Sequence, residues 1–69
     1  MKISARNVLQ GKVTKMTVGA VNTEVIIELA DGVQIVSIIS KESAEKLELK
    51  KGKKAYAIIK ASNVMVAID

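Results

Sequence analysis

Apolar and polar residues alternate over much of this chain, and a two-residue period predicts β-strands. The clearest run extends from Asn22 to Ala30, where every second residue from Thr23 to Leu29 is suited to a core and Glu24, Ile26 and Glu28 lie on the other face. Asp31-Gly32 follows, a dipeptide typical of tight hairpins. The returning strand, 33–40, is apolar on both faces. We therefore expect one of its faces in a core and the other against a second subunit.

The first strand is predicted to begin at Ile3-Asn7 and to continue to Val18. At Gly11 the apolar residues switch from one face of this strand to the other. A glycine inside a long strand often marks a bulge or bend. A first strand bent in this way can contribute to both sides of a small barrel.

A short helix is predicted from Ser40, its N-cap, to Leu47. Ala44 and Leu47 would close one end of the barrel. Glu42 and Lys46 have the spacing of an ion pair on one helix face.

Two further strands, 55–60 and 64–68, end the chain. Five strands with one helix between the third and the fourth predict an all-β fold with one short helix, a five-stranded β-barrel of the oligonucleotide-binding (OB) fold type. The length of 69 residues predicts a single domain over residues 1–69.

The amino-acid composition excludes several classes of function and favours others. The chain has no cysteine and no histidine, so it has no thiol nucleophile, imidazole base or soft metal site, and we expect a protein that is not an enzyme. The hydrophobic fraction of 49% is high for so short a chain and indicates oligomerisation. The net charge of +4 favours an anionic partner. No apolar run approaches the ~20 residues of a membrane span, and no signal peptide is evident, so we expect a cytoplasmic protein without membrane association.

Two other sites have little support in the sequence. Glu24 and Glu28 fit a solvated strand face better than a catalytic carboxylate pair. Single-stranded nucleic acid is the natural ligand of a basic OB-type barrel, but its binding usually needs aromatic platforms, and Tyr56 is the one aromatic residue.

Cationic and hydroxyl side chains recur with the same spacing near both ends of the chain. Ser4 and Arg6 are two residues apart, as are Lys60 and Ser62. In an extended backbone such pairs point to one side, which suits them to hold an oxyanion. The hydroxyls of Ser37 and Ser40 lie in a run of isoleucines and need partners if they are buried.

These stretches resemble a known family. The opening Met-Lys-Ile-Ser-Ala-Arg-Asn, the Ser-Ile-Ile-Ser of residues 37–40 and the Ile-Lys-Ala-Ser of residues 59–62 are similar to the molbindins, the molybdenum-pterin-binding proteins built from Mop domains. The resemblance implies an OB-type barrel that assembles as a hexamer, a trimer of dimers, and stores molybdate or tungstate at subunit interfaces. It implies no catalysis and no metal ligation by side chains.

The same resemblance nominates the binding residues. The main oxyanion site would comprise Ser4, Ala5 (through its backbone N–H), Arg6, Ser37, Ser40, Lys60, Ala61 and Ser62. A second oxyanion site near the three-fold axes would use Gly19, Ala20 and Val21. Several relatives carry a hydroxyl where this chain has Ala61, so contact there would be through the backbone or would pass to Ser62.

Three hypotheses therefore remain: molybdate or tungstate binding and storage, a single-stranded nucleic-acid-binding module, and an oligomerisation module without a ligand. We expect the first.

Overall fold

A computed structural model describes all residues from 1 to 69. Its elements are β1 (Asn7–Val18), β2 (Asn22–Leu29), β3 (Gln34–Ser40), α1 (Lys41–Lys46), β4 (Lys54–Ile59) and a 3-10 turn (Ala61–Asn63). The strands form one curled antiparallel sheet in the order β3-β2-β1-β4. No helix combines the length and apolar content that a membrane crossing requires.

The core lies on the concave face of the sheet, and β2 contributes most of it. Thr23, Val25 and Ile27 are buried, as the alternation along this strand predicts. Val13 of β1 and Ala57 of β4 pack beside them. Burial of these side chains is what holds the central strands together.

The hairpin and the helix follow their local signals. Gly32 has a φ of +87°, and the Asp31 carboxylate accepts a hydrogen bond from the Val33 N–H at 3.2 Å. Ser40 caps α1 as predicted, and Lys46 pairs with Glu42 at 3.2 Å. Both predictions are confirmed because the interactions are local.

Of the two side chains predicted to close one end of the barrel, only one is buried. Ala44 is buried, whereas Leu47 is 59% exposed. The expectation for Leu47 is wrong because α1 ends at Lys46 and Leu47 is its C-cap, beyond the face that packs on the sheet.

The predicted start of the first strand is wrong, and its irregularity lies at another position than the predicted Gly11. Residues 3–6 are irregular, and β1 begins at Asn7, where pairing with Ile59 of β4 starts. The register shift lies between Val13 and Lys15, after Gly11. Gly11 instead permits close packing, because a Cβ there would lie 2.4 Å from the carbonyl oxygen of Glu28 on β2.

The predicted fifth strand is absent. Residues 64–68 form no strand, and beyond Val64 no backbone hydrogen bond ties this tail to the rest of the chain. The turn at Ala61–Asn63 carries the chain off the sheet, so the tail has no partner strand in its own subunit. The chain thus forms a half-barrel of four strands, and β3 and β4 are its edges.

Candidate functional site

The pairing of β1 with β4 brings the two ends of the sequence together. Asn7 and Ile59 are register partners, and the Asn7 side-chain Nδ2 donates a hydrogen bond to the Ile59 carbonyl at 3.1 Å. These residues are 52 positions apart in the chain. The segment before Asn7 and the segment after Ile59 therefore leave the sheet at the same place.

An open cavity of about 650 Å³ lies between these two segments. It is lined by residues of the N-terminal segment and of the region around the 3-10 turn: Ile3, Ser4, Ala5, Arg6, Ile58, Lys60, Ala61, Ser62 and Asn63. Six of the residues nominated for the main site are in this set, Ser4, Ala5, Arg6, Lys60, Ala61 and Ser62. The structure thus places both cationic and hydroxyl-bearing stretches around one space.

The charged side chains that line the cavity are all positive. Arg6 and Lys60 line it, and no aspartate or glutamate does. Neither cation forms a salt bridge; the one ion pair of the chain is that between Lys46 and Glu42. Two like charges on one cavity repel each other, and an anion between them relieves that repulsion.

The groups around the cavity can bind an anion through its oxygens. The Arg6 guanidinium offers a planar fork of N–H donors, and Lys60 a compact ammonium. Ser4 and Ser62 add hydroxyl donors at the rim. No group of three or more His, Cys, Asp or Glu side chains that could ligate a metal ion occurs in the chain. The arrangement is suited to binding an intact oxyanion through contacts with its oxygens.

Ser37 and Ser40 do not line this cavity. Ser37 is half-buried on β3 and faces a cleft between β3 and β4. The Ser40 hydroxyl accepts a hydrogen bond from the Ser43 N–H at 3.0 Å and donates one to the Ser43 hydroxyl at 2.8 Å. Within one subunit both residues have other surroundings, and their part in an oxyanion site stays a prediction.

The second predicted site, at Gly19, Ala20 and Val21, is an exposed turn between β1 and β2. The Gly19 N–H donates to the Asn22 carbonyl at 2.8 Å, and the Val21 carbonyl accepts from the Lys41 N–H at 2.8 Å. None of the five main cavities includes these residues. An anion site here also stays a prediction.

The structure adds residues that sequence patterns did not nominate. Asn63 lines the cavity because the 3-10 turn brings it round beside Ser62, and Ile3 and Ile58 supply apolar wall. The sequence signal for Asn63 is its position directly after Ser62. The Asn7 side chain joins the two segments, and this role has no local sequence pattern because the contact spans 52 positions.

Comparisons with known proteins show which family the chain belongs to. Residues 3–66 match the TOBE domain. The chain is 47% identical over 66 residues to molybdenum-pterin-binding protein 1 of Clostridium pasteurianum, covering 96% of this chain and 97% of that protein. It is 48% identical over 69 residues to a probable molybdenum-pterin-binding protein of Haemophilus influenzae, with both chains covered in full.

Solved structures show the same fold. MopII from Clostridium pasteurianum, in an apo form, superposes with a TM-score of 0.93 at 45% identity, over 97% of this chain and 100% of that one. The molybdate-binding protein ModG, described as cytoplasmic and solved with molybdate bound, gives a TM-score of 0.91 at 48% identity. That match covers 94% of this chain and 46% of ModG. On this evidence the chain is a member of the TOBE domain family and, within it, of the molybdenum-pterin-binding (Mop) proteins.

Proposed function

We propose that this chain binds molybdate or tungstate as an intact tetrahedral oxyanion and stores it in the cytoplasm without catalysing a reaction. The observation that carries the proposal is the presence of Arg6 and Lys60, neither paired with a carboxylate, on one cavity. Unpaired cations that share a cavity favour a doubly charged anion as ligand.

The chemistry of the ligand fits the donors present. Molybdate and tungstate already carry four oxygens on the metal, so a protein binds them with hydrogen-bond donors and positive charge. Arg6 and Lys60 supply the charge, the Ser4 and Ser62 hydroxyls supply direction, and the Ala5 backbone N–H is a further donor.

A single subunit leaves the ligand incompletely enclosed. An ion with four oxygens fills roughly the space of four waters, about 120 Å³ at about 30 Å³ each, whereas the open cavity has about 650 Å³. A neighbouring subunit would fill the remainder, which supports a site at the interface of a homo-oligomer. In the hexamer, a trimer of dimers, Ser37 and Ser40 of a neighbour would supply further hydroxyls.

The relatives support the same ligand class. The similar curated proteins are named for molybdenum-pterin binding, and the ModG structure contains molybdate. Single-stranded nucleic acid has weaker support, because Tyr56 is the one aromatic side chain and lies outside this cavity, with Lys54 Nζ 5.5 Å from its ring centroid.

Isothermal titration of the purified protein with molybdate, tungstate, sulfate and phosphate tests the proposal. We expect molybdate and tungstate to bind in the micromolar range or tighter, and the two smaller oxyanions to bind more weakly. Absence of binding by molybdate and tungstate would refute the function.

Substitution of the two cations tests the site. We expect Arg6→Ala and Lys60→Ala each to weaken binding by roughly 10- to 100-fold, because each removes a charged donor worth about 1.5–3 kcal/mol. Lys51→Ala, at an exposed lysine in a turn outside this cavity, is the matched control and should bind like the unmodified protein. Circular dichroism must show that the fold survives; equal losses in all three variants would indicate a general charge effect and not this site.

A further inference from the structure

A turn rich in lysine leads into β4 and lies at the far end of that strand from Lys60. It consists of residues 50–54, Lys-Lys-Gly-Lys-Lys (the lysine turn). The six residues of β4 separate it from the oxyanion cavity by about 20 Å, at ~3.3 Å per residue. None of its residues lines that cavity. The lysine turn is therefore a separate cationic surface.

Backbone hydrogen bonds hold the lysine turn in place. The Lys53 N–H donates to the Lys50 carbonyl at 3.1 Å, and Gly52 has a φ of +91°, as the third residue of a type II turn does. The Gly52 N–H and the Lys53 carbonyl also pair with the backbone of the buried Val13, at 2.7 and 2.9 Å. The exposed side chains of Lys50 and Lys51 thus project from a preorganised support, which lowers the entropic cost of binding a partner.

The charged side chains of this region have no charged partner within the chain. Lys50, Lys51 and Lys53 line an open cavity of about 590 Å³ together with Glu48, and no apolar residue lines it. None of the four forms a salt bridge, since the one ion pair of the chain lies within α1. The Lys53 ammonium donates to two backbone carbonyls, which fixes its position. Cations and a carboxylate are thus available to the charged groups of a partner.

Two features of this region are unfavourable for the isolated chain. Lys12 of β1 and Lys54 of β4 lie directly opposite each other in the antiparallel register, and like charges in that position destabilise a sheet. Glu48 has a φ of +52° and is the one residue other than glycine with a positive φ, a conformation that costs a glutamate free energy. Solubility requires neither feature, because dispersed lysines serve it equally well. Unfavourable local choices of this kind are expected where residues serve a function.

We propose that the lysine turn, together with Lys12 and Glu48, is a docking surface for an acidic segment of another protein. The lysines pair with carboxylates of that segment, and Glu48 pairs with a single cationic side chain among them. Attraction between the two surfaces speeds their association and weakens as the salt concentration rises. The inference does not rest on the proposed function, because the surface is remote from Arg6 and Lys60.

A protein segment fits this surface better than a nucleic acid does. Glu48 lies among the lysines, and its carboxylate repels an evenly charged phosphate backbone, whereas a polypeptide can place a cation at that one point. Proteins that bind single-stranded nucleic acid also use aromatic side chains for stacking. The one aromatic side chain, Tyr56, lies outside the cavity at the lysine turn. The mixed charges therefore indicate a partner that is mainly negative but carries both signs.

Fluorescence anisotropy tests the surface with three labelled probes of equal length. The first is a peptide of alternating aspartate and glutamate with one central arginine, the second has glutamate in place of that arginine, and the third is a single-stranded oligonucleotide. We expect the arginine-containing peptide to bind most tightly, and its affinity to fall as salt is added. Absence of binding by this peptide, or an oligonucleotide that binds as tightly, would overturn the proposal.

Two double variants of equal net charge test where the peptide binds. We expect Lys50→Ala/Lys51→Ala to weaken binding of the arginine-containing peptide by about tenfold, because it removes two cations from the contact. Lys15→Ala/Lys41→Ala, at exposed lysines that do not line the cavity, is the matched control and should change the affinity by less than about twofold. Equal losses in both variants would show an effect of net charge alone and contradict the assignment. Both variants should bind molybdate like the unmodified protein, so the oxyanion site is tested separately.

Substitution of Glu48 tests for the cation in the partner. We expect Glu48→Lys to bind the all-acidic peptide more tightly than the arginine-containing one, which reverses the order found with the unmodified protein. Glu45→Lys, at an exposed glutamate of α1 that does not line the cavity, is the control and should keep the original order. Circular dichroism checks that each variant is folded. An unchanged order in a folded Glu48→Lys variant would exclude pairing of Glu48 with the partner and overturn the mixed-charge surface.

Discussion

Thr23 is a polar residue in the middle of an apolar core. It is 1% exposed, and its Oγ1 has no hydrogen-bond partner. A buried hydroxyl without a partner costs free energy because water that it loses is not replaced. The core therefore contains a local weakness at β2, beside the packed Val25.

Replacement of Thr23 by valine should stabilise the fold. Thr23→Val exchanges the hydroxyl for a methyl group of similar size, and we expect the free energy of unfolding to rise by about 1 kcal/mol. Urea unfolding followed by circular dichroism measures it, with Thr17→Val on the exposed part of β1 as the control. A loss of stability in Thr23→Val would mean that the hydroxyl has a partner in the assembled protein.

Asn7 acts at a distance on the candidate site, because its side chain joins the start of β1 to the end of β4. We expect Asn7→Ala to weaken molybdate binding several-fold without abolishing it, and to cost about 1 kcal/mol of stability. Calorimetry and urea unfolding give the two quantities. Gln10→Ala, an exposed change on the same strand, should alter neither. Unchanged affinity in Asn7→Ala would show that the hydrogen bond does not position Arg6 and Lys60.

The helix α1 illustrates how one element can serve two purposes. Its six residues are too few for a stable isolated helix, so it depends on its caps and on the burial of Ala44. Ser40 satisfies its first turn, and Lys53 Nζ donates to the carbonyls of Leu47 and Glu48 at 2.8 and 3.2 Å beyond its last turn. Ser40 is also one of the residues predicted to contact the oxyanion from a neighbour.

Substitutions of Ser40 distinguish its role as the N-cap of α1 from its predicted contact with the oxyanion. Aspartate is as good an N-cap as serine, so Ser40→Asp should keep the stability of α1 while placing a negative charge where the neighbour's anion is expected. We expect molybdate affinity to fall at least tenfold in this variant. Ser40→Ala should lose about 1 kcal/mol of stability through the lost cap. Undiminished binding in Ser40→Asp would limit Ser40 to the cap.

For the molecule as a whole, the important feature is that neither the sheet nor the cavity is closed within one chain. β3 and β4 remain edges, and Arg6 and Lys60 face a space wider than an oxyanion. If the ligand bridges subunits, it binds the folded assembly and not the unfolded chain, so binding and assembly stabilise each other.

Thermal unfolding at increasing molybdate concentration measures this coupling. At a free concentration one hundred times the dissociation constant, each site should add about 2.7 kcal/mol to the stability of the folded state. The midpoint temperature should rise with molybdate and tungstate and much less with equimolar sulfate. Arg6→Ala should lose the effect. A midpoint that rises equally with sulfate would indicate a general salt effect.

Features that depend on near neighbours could be predicted from the sequence. The alternation along β2, the turn at Asp31-Gly32 and the capped helix are all as expected, because each rests on residues within a few positions of one another. The cationic and hydroxyl pairs at Ser4-Arg6 and Lys60-Ser62 were likewise visible in the sequence, since spacing of two is a local pattern.

Features that depend on pairing between distant residues could not be predicted from the sequence. The bulge lies between Val13 and Lys15 because it is set by the register with β2, and tail residues 64–68 remain apart because no strand of the same chain receives them. The cavity itself forms because Asn7 pairs with Ile59, although the segment before Asn7 is not a strand. Local periodicity indicates to which side of its own strand a side chain points. Which backbone lies opposite is set by long-range hydrogen bonding and packing, and that determines where the charges meet.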